Sequence, residues 1–403
     1  MTSRKTFDRA MAIFDELCDL PQDERQSLLE QRCGDDSELR ARVEQMLEHD
    51  VPEDATGWGD DKGGGAVMLA ASMADDLHGP LPSRIGRYAI IREVGHGGMG
   101  VVYEAEQENP RRRVALKVMR QGITTRQMLR RFQHEVHVLG RLDHHGIAQI
   151  YDADAETIDG TARPYFIMEF IEGPTLDAHV RDSGLTHRQT LELMARVCDA
   201  VHHAHQKGVM HRDLKPSNVL VKQESTATSE HGSTVVDAIG QPKILDFGIA
   251  RATDADMQMT TLQTNVGQII GTLSYMSPEQ LSGDPARLDT RCDVYALGVM
   301  LYRVLAGQLP HDLAGKPIPE VARIVSEQEP ARLGSLNPAL RGDIETIVGK
   351  AMEKDVARRY ASAAELADDI RRCLRREPVL AHPPSHAYQL RRFAQRNKAL
   401  VGG

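Results

Sequence analysis

The sequence predicts an α+β fold in two lobes, a small β-rich one followed by a larger α-helical one, with a small helical domain ahead of them. Three observations carry that reading. Runs rich in β-branched and aromatic residues, Tyr88-Ala89-Ile90-Ile91, Val101-Val102-Tyr103 and Val114-Ala115-Leu116-Lys117-Val118, crowd into one short stretch. Beyond Gly173 the apolar residues recur at helical spacing, with long amphipathic segments over 186–207 and 293–307. The 403 residues suffice for one large two-lobed domain plus something smaller.

Taken in order, residues 1–50 read as the small helical domain. Phe7, Met11, Phe14 and Cys18 fall on one helix face, and Pro21 breaks the pattern. Leu28 and Leu29 belong to a second short helix. Leu39, Val43 and Met46 mark a third, with Asp35, Asp36 or Ser37 as its N-cap. Residues 51–83 are a linker in which Gly57, Gly59, Gly63, Gly64 and Gly65 alternate with aspartates and bury little. Residues 84–374 form the two-lobed domain, with a helical stretch over 126–142 between its strands. Residues 375–403 are a basic tail. No acidic residue occurs after Glu377, whereas Arg391, Arg392, Arg396 and Lys398 interleave with Tyr388 and Phe393, a composition suited to an anionic membrane surface.

Hydrophobic residues make up 41% and charged residues 27%, an ordinary mix for a globular protein with a core. A net charge of -9 argues against nucleic acid as a partner, because phosphate backbones favour basic faces. Cys18, Cys33, Cys198, Cys292 and Cys373 are odd in number and contain no C-x-x-C pair, so neither a disulfide framework nor a zinc site is expected and a reducing, cytoplasmic setting fits. No apolar run reaches transmembrane length, and acidic residues within the first 20 positions exclude a secretory leader. The histidines His144, His145, His202, His203 and His205 are read as packing or surface residues, not as metal ligands.

Gly95-His96-Gly97-Gly98-Met99-Gly100 has the spacing G-x-G-x-x-G. That pattern also fits a dinucleotide fold, in which the glycines open a helix. Here they run into the strand-like Val101-Val102-Tyr103. A glycine loop between two strands can fold over a triphosphate with its amides pointing inward, because no Cβ blocks the approach. Lys117 lies on the strand Val114-Ala115-Leu116-Lys117, and a buried lysine requires an anionic partner. Phosphates and the carboxylate of Glu135 are the expected ones.

His211-Arg212-Asp213-Leu214-Lys215-Pro216-Ser217-Asn218 fits H-R-D-L-x-x-x-N at every fixed position. With these residues the chain resembles the eukaryotic-like protein kinases, and Lys215-Pro216-Ser217-Asn218 resembles their serine/threonine branch. Met99 and the run Met276-Ser277-Pro278-Glu279-Gln280 look most like the bacterial (Hanks-type) members. The resemblance implies the two-lobed protein-kinase fold over about 85–374 and transfer of the ATP γ-phosphoryl group to protein serine and threonine hydroxyls, with Mg²⁺, or Mn²⁺ in its place. It implies no nucleic-acid partner. It further implies dimerisation for autophosphorylation and a cytoplasmic location, membrane-associated where a C-terminal membrane helix comes after the basic tail.

The same resemblance assigns the site. Asp213 takes the substrate hydroxyl proton, Lys215 neutralises charge on the moving phosphoryl group, and Lys117, Glu135 and Thr272 complete the catalytic set. Asn218 and Asp246 of Asp246-Phe247-Gly248 are the metal ligands, an amide oxygen and a carboxylate being hard donors. Val94, Gly95, His96, Gly97, Gly98, Met99 and Gly100 cover the nucleotide. Val102, Ala115 and Leu220 surround the base, Met168 stands behind it, and the backbone of Glu169 and Ile171 hydrogen-bonds it. The run 271–279 resembles the peptide-docking segment that closes the activation loop, with Ser277 in place of the usual alanine. Glu279 pairs with Arg359, and Asp293 holds the catalytic loop. Arg212 implies a phosphate on the activation segment, with Thr260, Thr261 and Thr264 as candidates. The stretch from Asn218 to Asp246 is longer than the family pattern, and its surplus at 223–241 reads as a disordered or extended loop between two strands. Two readings compete, a nucleotide-sensing pseudokinase and a small-molecule kinase. The intact lysine, aspartates and asparagine oppose the first, and the docking segment opposes the second.

Overall fold

The computed structural model describes residues 81–97, 100–119, 136–158, 161–223, 225–228, 234–236, 239–247, 273–282 and 288–382, together with Leu29, Arg32, Cys33, Asp36, Leu39, Arg40 and Val43. The chain divides into two compact units, 1–79 and 80–403. In the first, Leu29, Cys33, Leu39 and Val43 are helical and buried. Of the three candidate caps, Asp36 is described and acts as one: its Oδ1 accepts the Leu39 amide at 3.1 Å and its carbonyl accepts the Arg40 amide. The helix face of Phe7 to Cys18, the linker glycines and the basic tail beyond His382 lie outside the described residues.

The second unit opens with six antiparallel strands. These are β1 (Arg84–Ile85), β2 (Tyr88–Gly97), β3 (Gly100–Gln107), β4 (Arg112–Met119), β5 (Ile150–Ile158) and β6 (Thr161–Glu169), in the order β1-β2-β3-β4-β6-β5. The glycines join β2 to β3 as a hairpin in which Gly97 faces Gly100. They do not open a helix, which removes the dinucleotide-fold reading. β4 is buried from Val114 to Met119, as a β-branched run inside a covered sheet should be. Of the helical stretch expected over 126–142, residues 136–142 are described: 136–139 are helical and the helix ends in a turn at Gly140 and Arg141.

The large lobe is helical: α1 (Leu176–Asp182), α2 (His187–Gln206), α3 (Pro278–Leu281), α4 (Arg291–Ala306), α5 (Ile318–Glu327), α6 (Asp343–Ala351) and α7 (Ala363–Leu374). Thr186 and Gln189 form a capping box that starts α2. The pattern over 293–307 suggests an amphipathic helix, but α4 is buried on nearly every side. The reason is its central position, with α1, α2, α6 and α7 all packed against it, so it has no solvent face to keep polar. At Gly298 an added Cβ would come within 2.8 Å of Met352 and 2.9 Å of Ala351, so α6 can approach this closely only over a glycine.

Two short strands, β7 (Val219–Lys222) and β10 (Gln241–Ile244), pair antiparallel beneath the junction of the lobes. Among the described residues between them, β8 (Ser225–Thr228) and β9 (Thr234–Val236) pair as a two-stranded antiparallel ribbon. At the end of the lobe the buried carboxylate of Asp369 accepts the hydroxyl of Tyr360 at 2.9 Å and the amides of Leu380 at 2.6 Å and Ala381 at 2.8 Å, which ties the chain down after α7. Among the described residues no helix is long and apolar enough to cross a membrane.

Two titratable sites lead to predictions. Arg359 donates from Nη1 to Glu279 Oε1 at 2.5 Å and from Nη2 to Oε2 at 2.8 Å, and both side chains are buried. Its Nε also donates to the Glu353 carbonyl at 2.6 Å. Burial pushes the Glu279 carboxyl up, but the Arg359 guanidinium outweighs it and holds the group below its ordinary range. Arg359→Ala strands that carboxylate and should cost about 3–5 kcal/mol, read as a lower urea midpoint. His311 is pushed down to about 4 by burial and by the nearby charge of Lys354. In the unfolded chain it titrates at its ordinary 6.5, so between these values the unfolded state binds the extra proton. Its contribution is complete above pH 6.5 and is lost as pH falls towards 4. After discounting for partial exposure this is ~1–2 kcal/mol. The melting midpoint should fall on acidification across that window, and less steeply in His311→Phe.

Candidate active site

The floor of the cleft begins with one carboxylate. Asp293, near the start of α4, is 1% exposed. Its Oδ2 accepts the backbone amide of His211 at 2.8 Å and Nε2 of His205 at 2.7 Å, and its Oδ1 accepts the amide of Arg212 at 2.9 Å. Burial alone would raise this carboxyl. The hydrogen bond and charge of His205, with those of His211, more than offset it, so the group is held below the ordinary carboxylate range. The backbone it grips has an unusual shape, with Arg212 at φ 67° in the left-handed region.

Asp213 is the next residue along the loop. Its Oδ2 is 2.8 Å from Lys215 Nζ, and Asn218 Nδ2 donates to its carbonyl at 2.8 Å and to Oδ2 at 3.2 Å. With both of these bonds made by the nitrogen, the amide oxygen of Asn218 remains as an acceptor. The loop is stitched to the strand bearing Asp246. The Leu245 amide donates to the Asn218 carbonyl at 2.8 Å, and His211 Nε2 donates to the Leu245 carbonyl at 2.9 Å.

Asp246 adopts φ 56°, a second left-handed residue. Its Oδ2 is 2.7 Å from Nζ of Lys117, which reaches across from the small lobe, and Lys117 is 7% exposed. Its Oδ1 is buried and has no hydrogen-bond partner. An orphaned carboxylate oxygen beside an amide oxygen makes a hard-donor set that suits a divalent cation. The anion expected for Lys117 is therefore, in this state, Asp246. Glu135 lies outside the described residues, as do Gly98, Met99, Thr260, Thr261, Thr264 and Thr272.

Strand register explains the rest of the wall. Val102 faces Lys117 and Ala115 faces Met168 across the ladders, and the two-residue repeat puts Ala115 and Lys117 on one side of the sheet. Ala115, Met168 and Ile171 are buried, and Val102 and Leu220 are half-buried. Val94 and His96 are exposed on β2 beside Gly95, Gly97 pairs with Gly100, and Gly95 pairs with Val102. The amide of Glu169 is already taken by the Gln149 carbonyl at 2.8 Å, so that residue can meet a base only through its carbonyl. Its carboxylate is 2.7 Å from Lys243 of β10. At Gly173 a Cβ would fall 2.2 Å from the Val221 carbonyl, so only glycine lets the chain after the lobe junction pass over β7 and present Leu220.

Three supports escape a reading of residues alone. His205, taken as a packing residue, holds Asp293, and nothing in the sequence connects two positions so far apart. His144 stacks on His145 with ring centroids 4.3 Å apart, and lies 5.0 Å from His203. Ser277 is an N-cap whose side chain and Gln280 form a capping box. The spacing Ser277-Pro278-Glu279-Gln280 carries that signal.

The geometry agrees with what the chain is similar to. The family described as the protein kinase domain matches residues 88–378. The serine/threonine-protein kinase Pkn1 of Myxococcus xanthus is 36% identical over 310 residues, which cover 76% of this chain and 41% of the relative. PrkC of Bacillus subtilis, also a serine/threonine-protein kinase, is 35% identical over 288 residues, covering 71% and 40%. The chain thus spans about two fifths of the length of these curated relatives. The crystal structure of the Mycobacterium tuberculosis PknI kinase domain matches with a TM-score of 0.52 at 25% identity, over 72% of this chain and 98% of that one. By fold, by site geometry and by sequence, the chain belongs to the protein kinase domain family.

Proposed function

We propose that this chain is a protein serine/threonine kinase that moves the γ-phosphoryl group of ATP to serine and threonine hydroxyls of other proteins. The observation that carries the reading is the continuous run of contacts from Lys117 through Asp246, Leu245, Asn218 and Asp213 to Lys215, which gathers five polar groups in one cleft. The names of the curated relatives support the serine/threonine branch, as does Lys215-Pro216 after the Asp-Leu pair.

Phosphoryl transfer through a loose transition state requires positioning and charge compensation more than covalent help. Asp213 orients the acceptor hydroxyl and receives its proton. Lys215, already on Asp213, has the reach to offset charge on the group in transit. Asn218 and Asp246 would hold a divalent cation, Mg²⁺ or Mn²⁺, the amide oxygen and the orphaned Oδ1 being the available hard donors. That cation supplies charge neutralisation on the phosphates when bound. Lys117 exchanges Asp246 for the α/β-phosphates, with Glu135 as its further partner. Gly95 to Gly100 cover the phosphates with backbone amides. Val94, Val102, Ala115 and Leu220 enclose the base, Met168 closes the back, and the Glu169 carbonyl and Ile171 backbone fix its edge. Thr272, in the docking run, completes the catalytic set, and one or more of Thr260, Thr261 and Thr264 take phosphate from a second copy of the chain. The expected location is cytoplasmic, with the basic tail against an anionic membrane surface.

Two experiments test this. Asp213→Asn should lower transfer by about 10²–10⁴-fold while leaving the fold intact. Quantitative phosphoproteomics of cells carrying the wild-type chain or this variant reads the loss and identifies the targets, and phosphopeptides from 248–272 should vanish with it. Unchanged transfer removes Asp213 from the mechanism. Asp246→Asn should weaken Mg²⁺-dependent nucleotide binding about tenfold or more while leaving metal-free nucleotide binding near wild type. Titration calorimetry with and without the metal separates the two, and equal weakening of both would remove Asp246 from the metal site.

A further inference from the structure

The docking segment and the catalytic loop are far apart in sequence, yet one side chain joins them. The amide of Gln280 has two ends with different tasks. Its Oε1 accepts the Ser277 amide at 3.1 Å and the Ser277 hydroxyl at 3.2 Å, closing the capping box at the start of α3. Its Nε2 donates to the backbone carbonyl of Arg212 at 2.8 Å. Ser277 is fully buried, and the next residue but one, Glu279, is locked by Arg359. The start of its own helix therefore aims the Gln280 amide at the loop.

The acceptor it meets is an unusual one. Arg212 occupies the left-handed region at φ 67°, which costs a non-glycine residue about 1–2 kcal/mol. Its amide is held by Asp293 at 2.9 Å. Its carbonyl belongs to the peptide plane that begins Asp213, and the amide of that plane donates to His211 Nδ1 at 3.3 Å. Asp293 thus fixes the plane before Arg212, while Gln280 holds the carbonyl side of the plane that carries Asp213. Without Gln280 the plane that carries Asp213 is left with the 3.3 Å bond from its amide to His211 Nδ1, and its rotation would take the Asp213 carboxylate with it.

We propose that Gln280 is a positioning residue that couples the peptide-docking segment to Asp213. It touches neither nucleotide nor acceptor and acts through the Arg212–Asp213 peptide. The inference rests on the kinase reading above, and it assigns to the docking segment a second task, which is to set the orientation of the catalytic carboxylate.

The two ends of the amide can be separated. Gln280→Glu keeps the length and the acceptors that cap Ser277, but replaces the donor with an oxygen facing a carbonyl. Gln280→Met keeps the length and loses both ends. Ser277→Ala removes only the hydroxyl of the cap. The full chain and the three variants are compared by steady-state kinetics on an acceptor protein that the wild-type chain labels, with folding checked by circular dichroism and melting. Both Gln280 variants should lose about tenfold in kcat with KM for ATP within about twofold of wild type, and Ser277→Ala should stay within about threefold in both. A merely structural role would lower melting and kcat together in all three. Wild-type kcat in Gln280→Glu with loss only in Gln280→Met would assign the effect to the cap and overturn the inference, as would a raised KM for ATP at unchanged kcat. If Gln280→Glu fails to fold, the comparison of Gln280→Met with Ser277→Ala decides, and equal deficits overturn the proposal. A wild-type chain without transfer would sink the kinase reading and this inference with it.

Discussion

The arrangement of the cleft depends on the carboxylate of Asp293. A buried charge is costly unless every lone pair finds a donor, and this one receives two backbone amides and an imidazole. The amides belong to His211 and Arg212, which no helix or sheet would otherwise satisfy in this conformation. An amide side chain in its place would keep one acceptor and leave a backbone N–H unpaired. The buried core around α4 gives the carboxylate a rigid base, and the catalytic loop takes its shape from there.

Of the three non-glycine residues with positive φ among the described residues, two are Arg212 and Asp246. Both immediately flank or carry a group assigned to the chemistry. Such conformations persist only where surrounding bonds over-determine them, and here they do: Asp293 and Gln280 grip Arg212, and Lys117 holds Asp246. The Lys117–Asp246 contact also joins the lobes directly. The ion pair keeps both charges partnered where the lobes meet.

The residues assigned to the chemistry stand out in the sequence because chemistry restricts both type and spacing. The run His211 to Asn218 lies within one loop, and Lys117 within a β-branched strand whose register with β3 and β6 is set by the two-residue repeat. The glycine hairpin was legible for a different reason: Gly100 leads into a strand pattern, and the ladder to Val101 and Val102 agrees. Less was readable where long-range packing decides. The periodicity of α4 was taken for an amphipathic face, because local pattern does not reveal that four helices surround it. The contact of Lys117 with Asp246 joins positions far apart in the chain, which no local pattern marks. His205 looked like any histidine on a helix, since its contact with Asp293 is made only when α2 and α4 meet. Ser277 stands where alanine is usual in the family pattern, and the glutamine three residues on marks it as a cap.

The buried carboxylate of Asp369 bears on where the domain ends. The family match stops at residue 378, yet two of the three donors to this group come from Leu380 and Ala381. Cutting the chain at the family boundary would leave a buried anion facing only the Tyr360 hydroxyl. The polar accounting of the fold closes a few residues later than the likeness to relatives does, and a shortened version meant to stand alone has to retain the chain through His382. The same anchorage gives any segment beyond it a defined point of departure from the lobe.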